Sequence, residues 1–340
     1  MDLFKYFLKR IFYSLFVLFG LSLLIFSIAR SLPGDPVRIA LGPRASQEAV
    51  DQLREEMDLD KPLLKQYSLW LGDVFNGNLG YSLRTKRSVN EDLKQYIPGT
   101  LELIVIALII EAVGGILLGA ITANSKSKIL GSTVRIGAYL GIAMPAFIWS
   151  ILFMLLFVQL YPIFPIMGRF SSNVPQSPIV TGMITIDSLI DGNIPAFWDA
   201  LKYLVLPAIS LSLSGLSQVT RMMRSSMLEI LDKDYIWAET ASGIPRRRIT
   251  YRYALKPALP STISVIGMDM AAMLANAFLV EKVFGFPGFS KYGLEAMLNK
   301  DVNAIVSVVL VVGIAFVMVN IVVDIINAAL DPRNRLLGGA

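Results

Sequence analysis

The chain has 340 residues, 54% of them hydrophobic, with a mean hydropathy of +0.60 and a net charge of +5. It has no Cys and no His, which excludes disulfides, thiol nucleophiles, histidine bases and the usual zinc ligands. The apolar residues come in long blocks, several reaching the roughly 20 residues that cross a ~30 Å hydrocarbon core, so the class is an all-α polytopic membrane protein rather than a soluble domain or an alternating β-barrel.

Six spans are predicted, taken in chain order. Lys5, Lys9 and Arg10 precede the first, Ile11–Ala29, which is longer than a signal-peptide core and reads as an uncleaved span. Pro33-Gly34-Asp35-Pro36 ends it. Residues 31–99 form an extracytoplasmic helical region. Its first helix is Ser46–Leu59, with Ser46 as N-cap and Ala49, Val50, Leu53 and Met57 at helical spacing. Lys61-Pro62 breaks it. A second helix follows over Leu63–Phe75, with Tyr67, Leu71 and Phe75 four apart. The second span is about Thr100–Thr122, with Glu102 and Glu111 inside. The third is about Ile136–Leu160, with Pro145, and the fourth about Tyr203–Val219, with Pro207 and a run of serines; both prolines are expected to kink their helices around the pathway. The fifth is about Thr262–Val280, with Asp269, and the sixth about Asn303–Ala329, with Asn320 and Asp324. Ile179–Ile190 is apolar but short and contains Asp187, and is assigned to an outer loop. The division is thus 1–30 for the first span, 31–99 outside, 100–330 for a five-helix core and 331–340 for a tail.

Basic residues set the orientation. Lys5, Lys9, Arg10, Lys126, Lys128, Arg135, eight basic residues between Arg221 and Lys256, and Arg333 and Arg335 gather on one side. The short loops opposite hold Arg169, Lys282, Lys291 and Lys300. Both termini are therefore expected in the cytoplasm.

The cytoplasmic loop 221–260 is more than a connector. Met227, Ile230, Leu231, Asp234, Tyr235, Ala238 and Ala241 share one helical stripe, apolar except for Asp234. Gly243 suits the left-handed position past a helix end, and Pro245 can open a second amphipathic stretch, Arg246–Leu255. Two short helices meeting at a glycine corner make a knob. The pattern leaves two readings open: a knob that docks in a partner's groove, or an interfacial pair on lipid headgroups.

Asp234 to Ile244 resembles the EAA loop of binding-protein-dependent ABC permeases. Trp237-Ala238-Glu239 stands in the Glu-Ala-Ala slot, lacking the leading Glu and the second Ala, and Gly243 matches the glycine four residues on. Leu32-Pro33-Gly34-Asp35-Pro36 after the first span, Val280-Glu281-Lys282-Val283-Phe284-Gly285-Phe286-Pro287-Gly288 after the fifth, and Asn320 to Asp331-Pro332-Arg333 at the end resemble the B-type subunit of dipeptide and oligopeptide systems. The resemblance spans nearly the whole chain.

It implies a type I ABC importer permease fold of six transmembrane helices. The partners it implies are a second, C-type permease, two ABC ATPase subunits, an extracytoplasmic substrate-binding protein and the lipid bilayer, with no nucleic acid. The membrane would be a bacterial or archaeal inner membrane. Tyr235, Trp237, Ala238, Glu239, Gly243 and Arg246 would form the seat for an ATPase. ATP and Mg²⁺ would lie in the ATPases, with no cofactor, catalytic residue or metal ligand in this chain, which also lacks a phosphate loop. Glu111, Asp269 and Asn276 are candidates to line the pathway, since intramembrane polar groups mark function by default; pairing with the partner permease is the competing reading for the two carboxylates. Nickel-chelate and glutathione importers share this permease type. An ion-coupled secondary transporter and an intramembrane enzyme are the more distant alternatives.

Overall fold

The computed structural model describes residues 3–31, 36–42, 44–56, 58–125 and 127–330. The Leu32–Asp35 part of the first motif, Met57, Lys126 and the closing Asp331-Pro332-Arg333 lie outside them. The elements in chain order are α1 (Leu3–Ser31), α2 (Pro36–Leu41), α3 (Gln47–Glu56), α4 (Leu63–Phe75), a hairpin of β1 (Tyr81–Ser82) and β2 (Arg87–Ser88), α5 (Val89–Asn124), α6 (Lys128–Ala143) and α7 (Ala146–Met154). After them come α8 (Ile184–Ile190), α9 (Ile194–Leu231), α10 (Asp234–Ala241), α11 (Arg246–Arg248), α12 (Leu255–Val283), α13 (Phe289–Leu298) and α14 (Val302–Leu330). π-helical turns extend α7 over Leu155–Leu160 and join α11 to α12 over Ile249–Ala254.

Among the described residues, five helices are long and apolar enough to cross a membrane, and six spans result if the bent pair Lys128–Ala143 and Ala146–Leu160 counts as one. The sequence predicts a kink at Pro145 within a single third-span helix. Instead its halves meet at 104°. Proline has no N–H to donate and drives the preceding residue out of the helical region. Met144 accordingly sits at φ −107°, ψ 126°, and Pro145 starts the second half as its N-cap. Pro207, by contrast, lies within the unbroken α9. At 36 and 38 residues, α5 and α9 are more than 50 Å long at ~1.5 Å per residue, so both project beyond the hydrocarbon.

The chain forms two compact units, Phe7–Thr100 with Pro287–Val317, and Leu101–Phe286 with the 318–330 end of α14. In the first, α4 forms over the predicted Leu63–Phe75, while α3 ends at Glu56, short of the expected Leu59, with Asp58 at φ +55° in a turn. Ser46 Oγ accepts the Ala49 N–H at 3.3 Å, and Val50 is fully buried. The buried side of α4 is Gln66, Tyr67 and Trp70, and Phe75 is 83% exposed, so the expected Tyr67–Leu71–Phe75 stripe does not form. Tyr67 and Trp70 pack on Phe26 of α1, and Tyr67 Oη meets Ser22 Oγ at 2.8 Å. Asp301 caps α14 through Ala304 N and accepts the Ser82 hydroxyl at 2.6 Å and the Arg84 N–H at 3.2 Å, fastening the hairpin.

In the second unit α9 is the hub, packing against α6, α7, α8 and α12. Its serines suit that place. The buried hydroxyls of Ser210, Ser212 and Ser217 donate to carbonyls of their own helix, so they add little bulk and leave no unpaired group.

Candidate functional site

The loop that follows α9 is built as a rigid projection. α10 opens with Asp234 in its first turn, where the helix dipole favours an anion. It closes on Gly243 at φ +79°. Gly243 N–H donates to Thr240 O at 3.0 Å and Ile244 N–H to Glu239 O at 3.3 Å, the paired bonds of a Schellman ending. Only Ile236 of α10 is buried, at 4%. Tyr235 and Trp237 are 46% and 64% exposed, and Ala238 is exposed beside them; Glu239 is half-buried.

The sequence stripe therefore splits. Met227 is buried with Ala120, Ala123, Met223, Ala254 and Ala258, and Ile230 and Leu231 pack against that cluster at the ends of α5, α9 and α12. Tyr235, Ala238 and Ala241 are left outside. The second amphipathic stretch is not a separate helix either. It runs through the π turn into α12, giving one helical span over Arg246–Val283. Ile249, Thr250 and Ala254 are buried, so the apolar face of this stretch is spent on the protein itself, and the knob is α10 alone. Arg246 Nε donates to Asn124 Oδ1 at 2.7 Å, tying the start of this helix to the last residue of α5.

The intramembrane candidates separate. Glu111 on α5 is fully buried, and neither carboxylate oxygen has a hydrogen-bond partner among the described residues. It fills a notch on α9 where a Cβ at Gly215 would come within 2.0 Å of Oε2. Asp269 on α12 is half-buried, lies within electrostatic reach of Glu111, and accepts a long 3.3 Å bond from Gln218 Nε2. Asn276, seven residues on and so on nearly the same side of α12, is exposed.

Sequence reasoning missed two features. Gly115 and Gly119 form a small-xxx-small pair in α5. A Cβ at Gly119 would lie 2.8 Å from Thr220 O and 2.6 Å from Met223 Cβ, and one at Gly115 would lie 2.5 Å from Val219 Cγ1. The α5 backbone thus rests directly on α9, and the Gly-x-x-x-Gly spacing was there to be read. The other feature is a buried polar knot around Glu102. Its Oε2 accepts from Arg169 Nη2 at 2.5 Å, and its Oε1 accepts from Thr185 N and Oγ1 at 2.6 and 2.7 Å. Asp187 closes the neighbouring turn. Burial would raise its pKa, but hydrogen bonds from Thr181 and Gly182 outweigh that and hold it below the usual carboxylate range. No local pattern links Glu102 to Arg169, 67 residues away. Arg169→Ala should leave the buried Glu102 carboxylate with its Thr185 hydrogen bonds but without its counter-charge, at a local cost of about 3 kcal/mol. Amide hydrogen exchange over 181–190 should then speed up markedly; unchanged protection would contradict this.

Residues 115–336 match the family described as binding-protein-dependent transport system inner membrane component, and residues 3–104 match its N-terminal membrane-component family. Over 95% of each chain, the protein is 38% identical to a probable D,D-dipeptide transport system permease protein of Escherichia coli K12. It is 34% identical to a dipeptide transport system permease protein of Alkalihalophilus pseudofirmus, over 96% of this chain and 98% of that one. It is 35% identical to another from Haemophilus influenzae, over 98% and 100%. The chain therefore belongs to the inner membrane components of binding-protein-dependent transport systems, and is a permease subunit of such an importer.

Proposed function

We propose that this chain forms half of the translocation pathway of an ATP-driven importer of di- or oligopeptides. A second, similar permease supplies the other half, two ATPase subunits bind ATP and Mg²⁺ on the cytoplasmic side, and an extracytoplasmic binding protein delivers the solute. Both termini lie in the cytoplasm. α10 is the coupling helix: Tyr235, Trp237, Ala238 and Glu239 enter an ATPase groove, Gly243 fixes the angle of entry, and Arg246 fastens the loop to α5. Asp269 and Asn276 face the pathway, and Glu111 stands behind them, enclosed against α9.

The observation that carries this reading is the state of α10. A short helix held by one buried side chain and a glycine-closed end presents two exposed aromatics beside a small residue. Large exposed aromatics flanking a point of close approach are what a docking element needs. The peptide assignment is supported by the names of relatives that match along nearly their whole length.

A photo-crosslinking amino acid placed at Tyr235 tests both the seat and its side of the membrane. The expected adduct is with an ATPase subunit, and the same probe at Leu64, 75% exposed on α4, should give none. An adduct at Tyr235 with lipid alone would contradict the coupling role.

A further inference from the structure

A second polar site lies within the unit 101–286, and no residue of α10 is among its described lining residues. A cavity of about 270 Å³ opens between the ends of α5, α6 and α9. Arg135, Arg221 and Arg224 all line it, and no carboxylate does among the described residues. Arg224 Nε is buried and finds no acceptor among the described residues. Arg135 spends Nε on Gly131 O and one terminal nitrogen on Ser132 Oγ, and its other terminal nitrogen has no partner among the described residues. Arg221 is exposed. Ser225 adds a hydroxyl. The remaining wall is largely apolar, with Ile142 and Leu228, and runs on to an exposed apolar face of α6 at Ile136, Tyr139 and Leu140.

Three guanidinium groups without a counter-charge call for an anion with several acceptor oxygens, and a phosphate group matches the planar fork of arginine. We infer that this cavity binds the headgroup of an anionic phospholipid of the inner leaflet, its phosphodiester among the three arginines and its acyl chains along α6. Depth and lining favour a lipid over a soluble phosphate. Arg224 lies seven residues before the end of α9 at Leu231, roughly 10 Å inside that end, where span and headgroup meet. A soluble anion has no use for the apolar wall that continues from the site. Basic pockets between spanning helices on the cytoplasmic side are suited to such lipids. The leaflet assignment rests on the orientation proposed above.

The test titrates the complete transporter, purified in detergent with its partner subunits, with dioctanoyl phosphatidylglycerol, dioctanoyl phosphatidylcholine and inorganic phosphate, and reads bound lipid by native mass spectrometry. Both faces are open to ligand in detergent, so failure here is distinct from a wrong orientation, which the Tyr235 crosslink reports. Phosphatidylglycerol should bind, and the other two should not displace it at equal concentration. The double variant Arg221→Gln/Arg224→Gln should weaken binding about thirtyfold, from the loss of two interfacial charges. Arg224→Lys, which keeps the charge but loses the planar fork, should bind more weakly than wild type and more tightly than the double variant. The charge-matched Arg252→Gln/Lys256→Gln, outside the cavity, should change nothing. Wild-type binding by the first double variant, or an equal loss in the control, overturns the proposal. Displacement by inorganic phosphate at equal concentration also overturns it, assigning the site to a free anion.

Discussion

Gly243→Val is expected to abolish ATP-driven uptake while the permease still reaches the membrane in near-normal amount. Gly243 sits at φ +79°, where a side chain crowds the backbone at a cost of about 1–2 kcal/mol, most for a β-branched residue. A Cβ there meets nothing within 4 Å among the described residues, so the penalty is conformational rather than a clash. It falls on the two hydrogen bonds that close α10. The buried cluster beneath the loop does not depend on them, which is why the fold should survive while the angle of α10 does not. Gly243→Asn should retain most activity, since asparagine tolerates the left-handed region. Ala238→Trp should match the valine variant in its effect on uptake, by filling the close approach instead of tilting it. ATPase activity that persists without uptake in these variants is the signature of uncoupling. Full uptake by Gly243→Val would show that the Schellman ending is dispensable.

Gly119→Leu should have the opposite character, removing the folded permease itself. The added Cβ would stand 2.8 Å from a backbone oxygen of α9, an atom that cannot swing aside as a side-chain tip can. Relief requires moving α5 from α9, the hub of its unit. Overpacking of this kind costs about 3 kcal/mol, a large share of a membrane or soluble domain's margin. Thermal unfolding in detergent should shift down sharply and the yield of monodisperse protein should fall. Gly20→Leu, at a glycine with open space around it, should be tolerated. A Gly119→Leu protein with a wild-type transition would mean that the two helices are not in backbone contact.

Much of the fold was legible because a bilayer imposes one strong rule, and long apolar blocks answer it. The helix over Leu63–Phe75 was readable to the residue because Lys61-Pro62 is a hard stop ahead of it. Gly243 was readable for a similar reason, as few residues accept its backbone angle. The break at Met144-Pro145 was harder. Hydropathy sums composition over a window, so two extended residues leave it unchanged while the direction turns by 104°. Periodicity also cannot say what lies against a stripe. Met227 and Tyr235 share a helical phase, yet one is buried at 0% and the other exposed at 46%, because the chain turns at Asp232-Lys233 between them. At the candidate site, the residues within one loop were found together, as local sequence keeps them together. The enclosure of Glu111 by Gly215 depends on which helices meet, and no spacing encodes that.

The central claim is that this permease moves solute with work received through α10 and makes none itself. It is tested most directly by peptide uptake into proteoliposomes holding the chain and its partner permease, with the binding protein outside and the ATPases either present or omitted. Uptake should require the ATPases and ATP inside, and should vanish when Ala238→Trp is introduced. Sustained uptake without ATPases, driven by an ion gradient, would contradict the account.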